Sequence, residues 1–291
     1  MTIYLINISI NLRNLLLIKN IIVISDLHCG CQFGLCMPKQ FRLDGGGVYF
    51  PSKNQKKVYK WWKEFWDEWI PGVTKNEKFI LVNNGDSIDG RHHNSITQIS
   101  QNISDQVNLA YEILKPVVDR SAQYYHIRGT EAHVGQSGEY EEILARKLGA
   151  TPNETGNYAR WELWLKLNHA LIHFAHHIGT TGRTHYETSA VMAELAEMYA
   201  EAGRWKEHSP DVVVRSHRHR NIEVRVPSAI GYNISMVSAC WQLRTPFTYR
   251  IAGGRIATPQ IGGSLIRTGT RDQVYTRHFT KSIGRSKEVV V

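Results

Sequence analysis

Five short apolar runs in this chain each end in side chains that bind metal ions or move protons. After Asn20–Ser25 (NIIVIS) come Asp26 and His28, and after 78–83 (KFILVN) come Asp86 and Asp89 in the stretch GDSID. Run 123–128 (QYYHIR) leads into Gly129-Thr130-Glu131-Ala132-His133. Run 170–175 (ALIHFA) leads into His176-His177, and 211–215 (DVVVR) into Ser216-His217-Arg218-His219. Carboxylate oxygens and imidazole nitrogens together suit Mn, Fe, Zn, Co or Ni, and loops of this type without a cysteine ligand argue against a structural zinc site. In D-x-H and H-x-H, alternate residues of an extended segment project to one side, so each pair is expected to reach a single point. Four histidines and two aspartates exceed the needs of one ion. The expectation is a two-metal site with one carboxylate bridging.

The elements that must carry these loops follow from the same text. The five runs are rich in Ile and Val and bounded by polar residues or Gly, which marks buried strands. Helical stripes fall between them: Val58, Trp62, Phe65, Trp66 and Trp69; Ile99, Ile103, Val107 and Leu114; Tyr140, Ile143, Leu144 and Leu148; and Val191, Leu195, Met198 and Ala202, closed by Gly203. The tryptophans of KWWKEFWDEWI are expected to pack in the core and not to form a stacking platform. Strands alternating with helices predict an α/β architecture whose site lies at the carboxyl edge. Trp161, Leu163, Leu165 and Leu167 alternate with polar neighbours, and Asn168-His169 turns that strand into the next. From about Ile222 the chain reads as strand, with no helix expected.

The chain has 291 residues, 42% of them hydrophobic, enough for a full core without disulfide or metal staples. Cys29, Cys31 and Cys36 cluster and Cys240 stands alone, unlike a secreted disulfide framework, so the expectation is reduced thiols in a cytoplasmic protein. Apolar runs are too short for a membrane span, and the greasy start, broken by Asn7, Asn11, Arg13 and Asn14, lacks the layout of a signal peptide. Residues 1–19 are read as an N-terminal extension and 20–291 as one domain, with an insertion at about 31–77. The net charge is +9; from Arg244 to Val291 there are nine Lys and Arg against Asp272 and Glu288. That basic part, about 244–291, suits a polyanionic partner such as a nucleic acid or nucleotide.

The order D-x-H, G-D, a G-x-x-x-H loop, His, and H-x-H, each after a strand, resembles the calcineurin-like metallophosphoesterase superfamily over roughly residues 20–240. The resemblance implies a two-sheet β-sandwich core flanked by helices, with a dinuclear centre at the carboxyl edge of the strands. It implies that Asp26, His28 and His219 hold one divalent ion, that His176 (in preference to His177) and His217 hold the second, and that Asp86 bridges. The family's Gly-Asn-His is absent from the third loop. Thr130 or Glu131 takes the Asn role while His133 stays catalytic, or His133 itself becomes a ligand. Ser216 stands where Gly is usual.

The resulting expectation is a phosphoester hydrolase, a phosphodiesterase before a phosphomonoesterase or phosphoprotein phosphatase, working through a metal-bridging hydroxide with His133 as proton donor. Arg91, Thr130, His177 and Arg218 are expected at the substrate. A non-catalytic binding protein keeping the fold is the remaining alternative. Asp89 is read as a turn residue or as support for a ligand. His92 and His93 either line the pocket or face solvent, His169 and His173 fill a turn and a strand, and the insertion is expected to form a lid or rim.

Overall fold

The computed structural model describes residues 18–179, 184–229, 231–251, 258–269 and 273–284. The reading of residues 1–19 therefore falls almost wholly outside the described residues, as does the part of the basic C-terminal stretch at 252–257, 270–272 and 285–291.

Strand β1 (Asn20–Ile24) is buried along its whole length because both of its faces are covered. Ile21 and Val23 point to one apolar cluster and Ile22 and Ile24 to another, the period-2 split of a pleated strand. After the short hairpin β2 (Phe41–Arg42) and β3 (Val48–Tyr49), strand β4 (Phe79–Asn83) pairs parallel with β1, and β5 (Gln123–Ile127) with β4. β6 (Ala159–Arg160) closes that edge. β7 (Glu162–Leu167) and β8 (Ala170–Ala175) form a hairpin turned at Asn168, and β9 (Val212–Arg215) pairs parallel with β8. β10 (Ile222–Ser228) and β11 (Gly231–Val237) complete the second sheet, while β12 (Gln260–Thr268) returns antiparallel to β1 with β13 (Val274–Ser282) outside it.

The result is a six-stranded sheet, β13-β12-β1-β4-β5-β6, facing a five-stranded sheet, β10-β11-β9-β8-β7. Ile21, Val23, Val82, Ile172, Phe174 and Val214 are among the side chains that fill the space between them. The two-sheet α/β sandwich expected from the sequence is what the strand order shows.

Helices cover the outer faces. The helix Lys53–Glu64 opens on a capping box, Ser52 with Gln55, and runs through a π-helical turn, Phe65–Trp69, into Ile70–Thr74. Trp62, Phe65 and Trp66 are buried and Trp62 meets Trp241 edge-to-face at 4.8 Å, so this aromatic helix is core. The helix Ile103–Val118 is capped by Asn102, which leaves Ile99 in the loop ahead of it, contrary to the four-residue stripe expected. Glu139–Leu148 forms as expected. Gly203 does not close the fourth helix: Glu187–Trp205 runs through it and ends where Lys206 turns left-handed. A helix also forms at Pro246–Ile251, where only strand was expected. Among the described residues no helix is long and apolar enough to cross a membrane, and all four cysteines are buried free thiols.

Candidate metal centre

Six donors arrive as two triads. Asp26, His28 and His219 offer ligand atoms within 4.8 Å of one another, and so do Asp86, His176 and His217. Asp86 also groups with His28 and His133, which places it between the two. β1 and β4 deliver the aspartates from one sheet, and β8 and β9 deliver His176, His217 and His219 from the other. The centre thus bridges the carboxyl edges of both.

The pairs do not converge by the route expected. Asp26 (φ 53°), His28 (φ 45°), Asp86 (φ 54°), His217 (φ 71°) and His219 (φ 57°) all have left-handed backbone, not extended. Each such residue costs about 1 kcal/mol or more, and the cost persists only where surrounding contacts fix it. Here the loops lock one another: Asp26 N–H donates to Gly85 O (2.9 Å), His28 N–H to Asp86 O (3.0 Å) and Ser216 N–H to His176 O (2.9 Å). Room is scarce. A Cβ on Gly129 would sit 2.1 Å from Asp86 Oδ1, and one on Gly85, already at φ 95°, 2.5 Å from His176 Nδ1. Only glycine lets these loops meet.

Electrostatics follow from burial. Asp26 Oδ1 is buried without a hydrogen bond, yet His219 Nε2 lies 3.2 Å from it, His176 Nε2 3.9 Å and His28 Nε2 4.0 Å. Burial resists ionisation of Asp26, but His176 and His219 outweigh it and hold the carboxyl at about 2. Burial likewise resists ionisation of Asp86, whose carboxyl His176 and His133 hold well below the usual range. Burial pulls the His176 imidazole down, while Asp86 and Asp26 raise it to about 10. His176 Nδ1 donates to Asn84 O at 2.6 Å, which leaves Nε2 directed at Asp86 Oδ2 (3.0 Å). An unbonded carboxylate oxygen facing three imidazole nitrogens fits a cation, and the oxygen and nitrogen donors fit a divalent transition ion. Asp26, His28 and His219 would hold one ion, and Asp86, His176 and His217 the other.

The third loop brings in Thr130. Its hydroxyl lies 3.1 Å from Asp86 Oδ2, 2.9 Å from His217 Nδ1 and 3.3 Å from His176 Nε2, inside the second triad. Glu131 opens a short helix, Glu131–Val134, is exposed, and stands outside the donor groups. Its expected ligand role is corrected accordingly: the helical turn carries its side chain away. His133 lines the cavity, and its Nδ1 donates to Asp89 O at 2.6 Å. Burial, helped by His28, keeps its imidazole down at about 4. His133 is therefore neutral with Nε2 as its available nitrogen, an acceptor before it is a donor. His177 is exposed and lies 5.1 Å ring to ring from the buried His176, so the buried neighbour is the one turned to the carboxylates.

The triads open on a cavity of about 670 Å³ lined by Arg218, Arg220, Arg244, His92, His93 and Phe247, among others. Arg91 is exposed and is not among the lining residues, which corrects its placement at the substrate: Gly90 turns the chain outward just before it. No residue of 31–77 lines the cavity either, so the insertion is not its lid; the rim comes from 92–97 and 242–248. Arg267 and Lys281, from the basic C-terminal part, pair with Glu77 (3.0 Å) and Glu64 (2.6 Å) on the insertion.

Two further carboxylates stand beside the donor loops. Asp89 Oδ1 lies 3.3 Å from His28 Nδ1, within ion-pair distance of that ring. Glu141, fully buried, accepts from Ser87 N–H (2.9 Å) and Gly129 N–H (2.5 Å), tying the Asp86 loop to the Thr130 loop. Its only sequence signal is a carboxylate on the apolar face of a helix. Ser87, His126 and Glu141 form a Ser–His–Glu contact set, but Ser87, His126 and Glu141 are all fully buried, so it braces and does not react with a substrate.

No protein-family profile matches the chain, and no curated protein matches it. Solved structures do. One is a hypothetical protein from Thermus thermophilus, 10% identical, covering 90% of this chain and 99% of that one at a TM-score of 0.41. A second is Vps29 complexed with Zn2+ from Entamoeba histolytica, 8% identical over 90% and 98% at 0.38. A third is a predicted phosphoesterase from Streptococcus pneumoniae, 11% identical over 90% and 98% at 0.34. These are what the chain is similar to.

Proposed function

We propose that this protein is a metal-dependent phosphoester hydrolase, with a phosphodiester as its preferred substrate. The observation that supports it is the pair of donor triads, Asp26/His28/His219 and Asp86/His176/His217, of which His28, Asp86, His217 and His219 line one cavity together with Arg218, Arg220 and Arg244. The motif order resembles that of the calcineurin-like metallophosphoesterases.

Two divalent cations in such a site supply Lewis-acid activation of water and neutralise charge on phosphoryl oxygens. The chain's own residues do the rest. Arg218 and Arg244 draw the phosphoryl group to the cavity. His133, neutral and anchored through Nδ1, can take a proton at Nε2 and return it to the leaving oxygen. Thr130, with its hydroxyl among three donors, orders the second triad. A diester is favoured over a monoester because the cavity, at about 670 Å³, holds more than a phosphate and has room for a group on each side of the phosphorus.

The test is metal analysis together with hydrolysis of an aryl phosphate diester, the matching monoester, DNA and RNA under each divalent metal. Turnover that requires metal, fastest on a diester, is the expected result. Failure with every metal, with one ion or none bound, would sink the enzyme reading and favour a binding protein.

A further inference from the structure

The ring of His93 stacks on the ring of Phe247, with centroids 4.6 Å apart and planes 27° from parallel. Both side chains line the cavity, and the proposed chemistry uses neither. His93 is exposed and Phe247 half-buried, so neither ring is sealed by the core. Ring contacts run from this pair back to the donors: His93 to His92 at 5.3 Å, His92 to His133 at 4.4 Å, and His133 to His28 at 4.5 Å.

Backbone geometry sets His93 apart as well. Eleven described residues other than glycine have positive φ. Five are the metal donors Asp26, His28, Asp86, His217 and His219. Lys75 and Lys206 end helices, Asn76 follows the first of these, and Asn168 turns a hairpin. That leaves His93 (φ 49°) and its neighbour Asn94, in a loop where Ser95 N–H closes on His92 O at 2.8 Å. Strain of this kind gathers at functional sites. His93 is thus held in a costly conformation with its ring against Phe247.

Size points the same way. A cavity of about 670 Å³ is in the range that encloses a ligand of nucleotide dimensions, and a phosphate fills little of it. We propose that the His93–Phe247 pair is a stacking subsite for the base of a nucleoside phosphoester, an inference that rests on the hydrolase reading above. Gln242, Thr245 and Thr248 line the same cavity and bring amide and hydroxyl groups to it, and Arg218 and Arg244 line it as well. Because every base has a π-face, stacking selects nucleosides as a class and not one base.

The test compares adenosine 5′-phosphate with ribose 5-phosphate, which share sugar and phosphate, by calorimetry on the Mn2+-loaded protein. Adenosine 5′-phosphate should bind roughly ten- to a hundredfold more tightly. Phe247→Ala and His93→Ala should each remove that preference and leave ribose 5-phosphate binding unchanged; Phe247→Trp, which keeps a ring, should retain it. Equal binding of the two ligands by the unaltered protein, or full preference in both alanine variants, would overturn the subsite. A parallel arm follows cleavage of thymidylyl-thymidine by phosphorus NMR. Base-dependent binding without cleavage of this dinucleotide or of the aryl phosphates, DNA and RNA above would overturn the hydrolase reading and leave the subsite standing, so the two failures are distinct.

Discussion

His28 Nε2 and His219 Nε2 face each other across 3.1 Å although 191 positions separate them in the chain. Asp26 Oδ1 lies beside both, at 4.0 Å and 3.2 Å. Two imidazole nitrogens so close repel unless a proton or a cation sits between them. Protons and metal therefore compete for the same positions, and most of the expected behaviour follows from that competition.

Asp86 belongs to both the His176/His217 triad and the His28/His133 group. Asp86→Asn removes the charge and keeps the shape. Metal stoichiometry should fall, and turnover should drop at least about a hundredfold, since the pair of ions acts as one unit. Metal analysis and steady-state kinetics read both. A fully active variant would refute a bridging role.

The pH dependence of the metal-free protein has a definite sign. His176, held at about 10 in the fold, contributes stability below its ordinary value of 6.5 that is lost as pH rises toward 10. His133 and His217, burial holding both near 4, work oppositely: stability is lost as pH falls from 6.5 toward 4. Asp26, at about 2, adds stability above 3.8 that is lost below it. Thermal unfolding in chelator should be latest near pH 6 to 7. Metal needs neutral imidazoles, so its affinity should rise with pH and its binding should release protons, which calorimetry in two buffers of different ionisation enthalpy measures.

Thr130 places a neutral hydroxyl where the second triad converges. Thr130→Asn offers a carbonyl oxygen, a better ligand for a divalent ion. Affinity for the ion of the second triad should rise by roughly tenfold, with a smaller effect on the first. Titration with Mn2+ followed by electron paramagnetic resonance separates the two.

Glu141 joins Ser87 to Gly129 with one carboxylate. In Glu141→Gln an amide N–H must confront a backbone donor, so the two loops separate. Stability should fall by about 2 kcal/mol, and metal affinity by roughly tenfold. A loss of stability with metal affinity unchanged would reduce Glu141 to a packing role.

Arg91 and Arg218 should part company. Arg218→Ala is expected to raise KM severalfold with less effect on kcat, because it lines the cavity. Arg91→Ala should leave both within about twofold, as surface changes usually do.

The strands and the order of the ligand loops were legible because each is written in consecutive residues: an Ile/Val run, then Asp or His. Side-chain direction was not. Asp26 and His28 converge through left-handed backbone, and nothing in D-L-H distinguishes that from an extended segment. Thr130 and Glu131 are neighbours, and only the helical turn beginning at Glu131 decides which lies among the donor triads. Glu141 and Ser87 are joined by folding alone, across 54 positions. The Pro246–Ile251 helix is too short to leave a periodic stripe. His92 and His93, undecided from sequence, both line the cavity.

The donors come from loops that follow β1, β4, β8 and β9, on two separate sheets. The first triad requires contact between residues 191 positions apart in the chain, His28 and His219. Such distant pairings form late on a folding pathway. An ion held by the first triad would thus be a clock for assembly: added at intervals to a refolding chain, it would be retained there only by molecules whose two sheets have already closed.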